Sequence, residues 1–276
     1  MSAVIERYHL NARDYQRYWA PVLEATAVTL IDYVEWYAGG PPPGEVDVVD
    51  VGTGTGTLAR AALERWPAAR VVATDAAEAM VEIAAEQTAQ LGDRVRLLAG
   101  PADALPLADE SADVVLSSFV FQLVPDRRAA LREAHRILRP GGMLAYVTWL
   151  DREMREPFLP MEEFDQAVLD LAVDEPTEEA DRCAGDVASA RAAAAQLRRA
   201  GFREVIARED ELDYHWTRDS YLEYKLAYDE RPLLAALDPV ERERLEGAAR
   251  ERLGRLPDEA FFWHPPIVFA AARRPG

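Results

Sequence analysis

Apolar and polar positions change rhythm twice along the chain. From residue 12 the pattern is helical: Leu23, Ala27, Leu30, Ile31 and Val34 recur at spacings of three and four, and Pro21 sits where a second helix can start. The run Gly39-Gly40-Pro41-Pro42-Pro43-Gly44 ends that pattern, because prolines lack the N–H donor and glycines favour turns, so it reads as a linker. Beyond it, short apolar runs alternate with helical segments. Strands are expected over 46–51, 71–74, 95–99 and 114–118, and helices over 58–66 and 78–91. Asp126 is placed to cap a helix carrying Leu131, Ala134, Ile137 and Leu138, which Pro140-Gly141-Gly142 should end before a strand at 143–149. Strands of near-continuous apolar character joined by helices imply a parallel sheet covered on both faces.

Past residue 149 the pattern weakens. Residues 151–181 are acidic and hold three prolines, Asp186 could cap an alanine-rich helix ending at Gly201, and 202–214 reads as a strand. Two more helical segments reach about residue 256. The run 267–272, after Pro265-Pro266, looks like a final strand, which makes the helices before it an insertion between the last two strands.

Composition narrows the classes of function. The 276 residues are 49% hydrophobic and 29% charged, enough for a proper core. No run approaches the roughly 18 to 20 apolar residues of a bilayer-spanning helix, and the polar N-terminus lacks the core of a signal peptide, so a cytoplasmic location is expected. One cysteine, Cys183, excludes an intramolecular disulfide and a thiolate-rich metal site, and no metal is expected. A net charge of -18 should repel a phosphate backbone, which argues against nucleic acids and anionic membranes as partners.

Chemistry concentrates where the first expected strand meets the first helix. Asp50-Val51-Gly52-Thr53-Gly54-Thr55-Gly56 lies at the point of a doubly wound sheet where ligands bind beyond the strands' carboxyl ends. A dinucleotide fingerprint needs its third glycine or alanine where Thr57 stands, which leaves a nicotinamide dehydrogenase as a third-ranked reading. A triphosphate loop needs Gly-Lys-Ser/Thr, and the chain's one lysine is Lys225. Asp75 ends the second strand, where a carboxylate can accept from both hydroxyls of a ribose; Asp103 follows the third, where one could accept from an exocyclic amine. Together with the loop they imply a nucleoside ligand without phosphate.

This constellation resembles the class I S-adenosylmethionine-dependent methyltransferases, in particular the small-molecule branch that includes ubiquinone- and menaquinone-biosynthesis enzymes. The resemblance spans about residues 8–149, through 48–56, 72–80, 100–107, 112–126 and 131–149 in order. It implies a doubly wound, seven-stranded, mostly parallel α/β sheet with an α-helical lid. The chain then divides into an N-terminal helical lid and linker (1–44), a cofactor-binding core (45–150) and an acidic insertion (151–185). A core helix and strand (186–216), a helical lid insertion (217–257) and a final strand and tail (258–276) complete it. By the same resemblance, Gly52, Thr53, Gly54 and Gly56 would hold the methionine part of S-adenosylmethionine, with S-adenosylhomocysteine as product. Asp50 would orient the loop or meet the amino group through water, and Asp75 would bind the ribose. Ala76 and Met80 would pack on the adenine, Ala102, Asp103 and Ala104 would read its edge, and Ser117 would offer its carbonyl to the ammonium. Tyr8, Ala12 and Tyr15 match a Tyr-x3-Ala-x2-Tyr lead-in whose helix closes over the cofactor; plain helix packing is the other reading. Where many relatives carry two histidines before Pro-Asp, this chain has Gln122-Leu123-Val124-Pro125-Asp126, so Gln122 stands at a cofactor- and acceptor-facing position.

Methyl transfer from a sulfonium is an in-line displacement, and positioning can supply much of the rate without a base. The expected activity is methyl transfer to a small molecule, apolar or aromatic, with oxygen first as acceptor atom and nitrogen or carbon next. The alternative is a noncatalytic S-adenosylmethionine-binding or scaffold protein. Candidate catalytic groups are His9, Tyr15, Gln122 and His264, whereas His135 reads as a packing or surface residue and His215 follows a strand end.

Overall fold

The computed structural model describes residues 3–171 and 183–276. Its organising element is a sheet built from β1 (Val46–Val51), β2 (Ala69–Asp75), β3 (Val95–Ala99), β4 (Ala112–Ser118), β5 (Leu138–Trp149), β6 (Arg203–Glu211) and, after the two-residue ribbon of β7 (Tyr214–His215) and β8 (Phe262–Trp263), β9 (Pro266–Arg273). The order β3-β2-β1-β4-β5-β9-β6 makes it a seven-stranded, doubly wound sheet. The β1, β2, β3, β4 and β5 pairings are parallel, and β9 runs antiparallel to both β5 and β6. Successive residues of one strand face opposite layers. Val48, Leu116, Ala145 and Phe269 pack with Leu30, Leu58 and Leu63 on one side; Val49, Val115, Leu144 and Val268 pack with Leu131, Ile137 and Leu197 on the other. Both faces being covered is why these strands read as continuous apolar runs.

Helix boundaries differ from the sequence reading in instructive places. The N-terminal region is helical from Ala3 rather than residue 12, as Ala3–Leu10, Ala12–Asp14, a π-helical turn Tyr15–Trp19 and Ala20–Ala38. Only Val4 of the first helix is buried, so it carries no stripe for a periodicity argument to find. Pro21 sits in the first turn of Ala20–Ala38, which Gly39 closes in a left-handed conformation (φ 82). The helix after Asp126 stops at Ile137, and Pro140-Gly141-Gly142 lies inside the irregular entrance of β5. Asp126 caps it as expected, accepting from the N–H groups of Arg128 and Ala129. The alanine-rich helix, Ala190–Arg199, is capped by Ser189 and not by Asp186. The acidic stretch contains the helix Leu159–Leu171, which buries Phe164 and Val168; the rest of it, 172–182, lies outside the described residues.

Helices Arg218–Tyr224, Arg231–Ala236 and Pro239–Gly254, with a second π-helical turn at Lys225–Asp229, sit beyond the carboxyl ends of the strands. Charged side chains tie this layer together. Lys225 is 5% exposed; its ammonium donates to Asp229 (2.5 Å) and Glu230 (2.6 Å) and lies 4.9 Å from the centre of the Phe164 ring. Arg252 bonds Glu163 (2.9 Å) and Asp170 (2.6 Å), and Arg231 reaches Asn11 (2.8 Å) and Asp14 on the N-terminal helices. A buried Leu30 locks Ala20–Ala38 to the sheet. Leu30→Ala should therefore cost about 2–5 kcal/mol in urea unfolding; a loss below about 1 kcal/mol would show that this helix is not part of the cooperative core.

Candidate active site

The site begins with three glycines after β1. Gly52 (φ 72), Gly54 (φ 54) and Gly56 (φ 85) all take left-handed backbone, which costs other residues about 1–2 kcal/mol each. Gly52 and Thr53 both donate their N–H to Thr74 O at 2.8 Å, which draws the loop onto the end of β2. There Asp75 completes the frame: one carboxylate oxygen accepts from Gly54 N and the other from Ala77 N, each at 2.9 Å. Burial raises the Asp75 carboxyl above its ordinary range, and these backbone donors oppose that rise. Asp50, 1% exposed, accepts from the Thr53 hydroxyl at 2.6 Å and so orients the loop from below. Burial, with the nearby charge of Asp75, pushes its carboxyl up to about 7.

Above the loop opens a cavity of about 250 Å³ lined by Tyr8, Tyr15, Gly52, Gly54, Asp75, Ala76, Met80, Ala102 and Asp103, with Ser118 and Phe119 at the end of β4. Tyr8 and Tyr15 meet edge to face, 5.6 Å between centroids, and the Tyr15 ring covers Gly54, where an added Cβ would stand 3.8 Å from the phenol oxygen. At Gly52 an added Cβ would fall 2.2 Å from Val120 Cγ2, so the close backbone approach depends on glycine. Thr53 and Asp50 line a smaller cavity, about 40 Å³, that Tyr15, Gly52 and Gly54 also border.

A further cavity of about 260 Å³ adjoins the first through a shared wall of Tyr8, Tyr15, Phe119 and Leu123, and continues past Trp19, Gln122, Trp149, Cys183, Gly185 and Asp186. Phe119 forms that wall in a left-handed conformation (φ 55), its N–H bonded to Val147 O at 2.9 Å and its ring 4.1 Å from Trp149. Such backbone costs a bulky residue about 1–3 kcal/mol and is concentrated at functional sites. Gln122, which lines this cavity, accepts from the Thr148 hydroxyl at 2.8 Å. The wall formed by 183–186 is pinned by Ala184 N to Val124 O (2.7 Å), Gly185 N to Gln122 O (3.0 Å) and the buried Arg127 guanidinium, which donates to Phe121 O (2.9 Å) and Gly185 O.

Several expected contacts fall elsewhere. Gly56 faces Ala84 and Thr88 rather than a cavity, so its missing side chain serves helix packing. Ala104 spends its N–H on Pro101 O (3.1 Å) within a turn. The expectation for Ser117 concerned its carbonyl and is not displaced by its side chain, which is buried with the hydroxyl donating to Val51 O (3.0 Å); the side chain of Ser118 lines the cavity, because adjacent strand residues face opposite ways. Gln122 borders the second cavity and not the first. His9 accepts from Ala79 N at 3.4 Å, between the first helix and Glu78–Thr88, and His264 pairs with Asp213 at 2.6 Å on the exposed ribbon. Neither histidine lines either cavity. His135 packs edge to face on Phe202. Phe119 and Trp149 are not among the expected site residues and Asp186 is expected only as a helix cap; the first two stand at the carboxyl ends of β4 and β5, which is the signal that could have found them.

Comparison with known proteins agrees with this geometry. A methyltransferase-domain family model matches residues 49–146. The malonyl-[acyl-carrier protein] O-methyltransferase of Geobacter sulfurreducens is 32% identical over 211 residues, covering 75% of this chain and 73% of that one. The demethylmenaquinone methyltransferase of Thermus thermophilus is 42% identical over 97 residues, covering 35% of this chain and 44% of that one. With other curated relatives the match spans less than half of their length, 42% and 47% in two malonyl-[acyl-carrier protein] O-methyltransferases. Among solved structures, the YcgJ protein of Bacillus subtilis shares the fold, with a TM-score of 0.56 at 18% identity over 91% of this chain and 99% of that one. A doubly wound sheet with a cavity at the carboxyl ends of β1, β2 and β4 defines the class as Rossmann-like. The chain belongs to the S-adenosylmethionine-dependent methyltransferase family.

The buried Asp50 makes the loop's stability depend on pH. Its carboxyl is raised from the ordinary 3.8 to about 7, so between those values the folded state holds a proton that the unfolded state has lost, and stability falls as pH rises through this window. In urea unfolding, Asp50→Asn should lose less stability than the unsubstituted protein between about pH 5 and pH 7, the gap widening by roughly 2 kcal/mol. A gap that stays constant with pH would contradict the assignment.

Proposed function

We propose that the chain transfers a methyl group from S-adenosylmethionine, held in the first cavity, to a small molecule held in the second. The observation that carries this reading is the shared wall of Tyr8, Tyr15, Phe119 and Leu123, which sets the two cavities against each other as an in-line displacement requires. The residues of the first cavity suit this cofactor. Asp75 offers free lone pairs toward ribose hydroxyls, Ala76 and Met80 form an apolar seat for the adenine, Asp103 stands at its rim, and the Gly52–Gly54 backbone allows close approach of the methionine part. Bound there, the cofactor supplies a methyl group activated by its sulfonium charge.

The chain's own contribution is placement and exclusion of water. Helices on the N-terminal side and those of 217–257 act as the lid, with Tyr15 closing over the loop. With His9 and His264 outside both cavities, holding the two reactants in line, worth about 7–11 kcal/mol, carries the rate, and a general base would add roughly 3–5 kcal/mol. We assign the acceptor atom as oxygen from the Gln122 amide, whose remaining donor can hold an acceptor oxygen. Nitrogen and carbon acceptors are the next readings. We place the protein in the cytoplasm; among the described residues no helix is long and apolar enough to cross a membrane.

Transfer of labelled methyl from S-adenosylmethionine to hydroxyl-bearing aromatic acceptors tests the reading. Gln122→Leu should lower kcat/KM by about tenfold or more, the weight of one hydrogen bond in a buried site, while affinity for S-adenosylhomocysteine stays within about twofold. An equal loss in both would move Gln122 to the cofactor side. Cofactor binding with no label transferred to hydroxyl, amine or carbon acceptors would leave a binding module.

A further inference from the structure

The second cavity has a chemistry of its own. The rings of Tyr15, Trp19, Phe119 and Trp149 line it together with the exposed Asp186; among the described residues no arginine, lysine or histidine side chain lines it. The nearest guanidinium, Arg127, is committed to the carbonyls of Phe121 and Gly185. Aromatic faces carry negative quadrupole potential and attract cations, and a carboxylate beside them completes such a cage. The same arrangement rejects a carboxylate-bearing ligand, which would be desolvated against Asp186 without a partner. A net charge of -18 acts in the same direction at long range, drawing cations in and slowing anions.

We infer that the acceptor of this enzyme carries a cationic nitrogen on an apolar or aromatic body, recognised by the ring cage and Asp186, and that acidic acceptors are excluded. This rests on the methyltransferase reading for the word acceptor, but the cavity's preference is a binding property that stands apart from turnover. Asp186, Cys183, Gly185 and Trp149 belong to the part of the wall that the cofactor cavity does not share, whereas Tyr15 and Phe119 belong to both. The cation is thereby held beside Asp186 and the reacting oxygen is presented toward the shared wall of Tyr8, Tyr15, Phe119 and Leu123. Partial desolvation, then the charge of Asp151, raises the Asp186 carboxyl, and a bound cation relieves both.

Three phenols that share a ring and differ at the chain end separate the possibilities: tyramine, its uncharged alcohol tyrosol, and 4-hydroxyphenylacetate. Each is titrated by calorimetry into protein saturated with S-adenosylhomocysteine. Tyramine should bind about tenfold or more tighter than tyrosol, with 4-hydroxyphenylacetate weakest, and Asp186→Asn should remove most of tyramine's advantage while leaving tyrosol unchanged. Asp186 lies at the surface of the cavity, so this substitution leaves the core intact, and unfolding curves verify it. The inference is overturned if the acid or the alcohol binds as tightly as the amine, if Asp186→Asn leaves the preference in place, or if none of the three binds. Amine preference without transfer of labelled methyl to any acceptor would instead sustain this inference and remove the proposed function.

Discussion

One carboxylate holds the crevice in shape. Asp75 closes the end of β2 and accepts from the N–H groups of Gly54 and Ala77, so the loop leaving β1 and the turn leaving β2 share a single anchor. Thr74 adds to it by taking the Gly52 and Thr53 N–H groups on its carbonyl. Without these bonds, three left-handed glycines at alternate positions would have little to define them, since glycine loses the most conformational freedom on ordering. The cost is electrostatic. Asp50 is buried and Asp75 half-buried, and both carboxyls rise above the ordinary carboxylate range. Among the described residues no basic side chain lines the cavity that Asp75 borders.

The second level of organisation is the helical cover. Tyr15 lies on a π-helical turn and faces Tyr228 on another, 6.3 Å between ring centres, while Arg231 ties the later helices to Asn11 and Asp14 beside the first. π-helical turns recur at functional sites, because the extra residue re-aims the side chains around it. Here the result is that one tyrosine borders all three cavities around the loop. Phe119 does the equivalent from the sheet side, its unfavourable backbone held by Val147 and by Trp149.

Much of this was legible in the sequence because a parallel sheet writes itself plainly. β1 and β3 occupy the segments expected for them; β1 is buried on both faces and leaves an unbroken apolar run, and the edge strand β3 keeps a short apolar one. The order of Gly52, Gly54, Asp75 and Asp103 along the chain also located the crevice, since strand ends in a doubly wound sheet converge there. What stayed hidden depends on single-residue parity or on distant packing. Ser117 and Ser118 differ by one position yet face opposite sides, and chemical type alone cannot choose between them. Gly56 sits in the same motif as its neighbours but meets Ala84 and Thr88, a contact set by tertiary docking. Asp186 and Ser189 are both good caps, and only the bond to Ala192 N shows that the serine does it. His9 and His264 were plausible bases by type; their partners, Ala79 N and Asp213, come from packing that no local pattern records.

That the crevice at β1 and β2 takes a nucleoside joined to a sulfonium amino acid, and not a dinucleotide, is tested most directly by calorimetric titration of the unsubstituted protein. S-adenosylmethionine, S-adenosylhomocysteine and NAD would be compared under one set of conditions. Saturable one-to-one binding of the two sulfur nucleosides, with no heat of binding from NAD, is the predicted result. Binding of NAD as tight as that of S-adenosylhomocysteine, or no binding of either sulfur nucleoside, would contradict it.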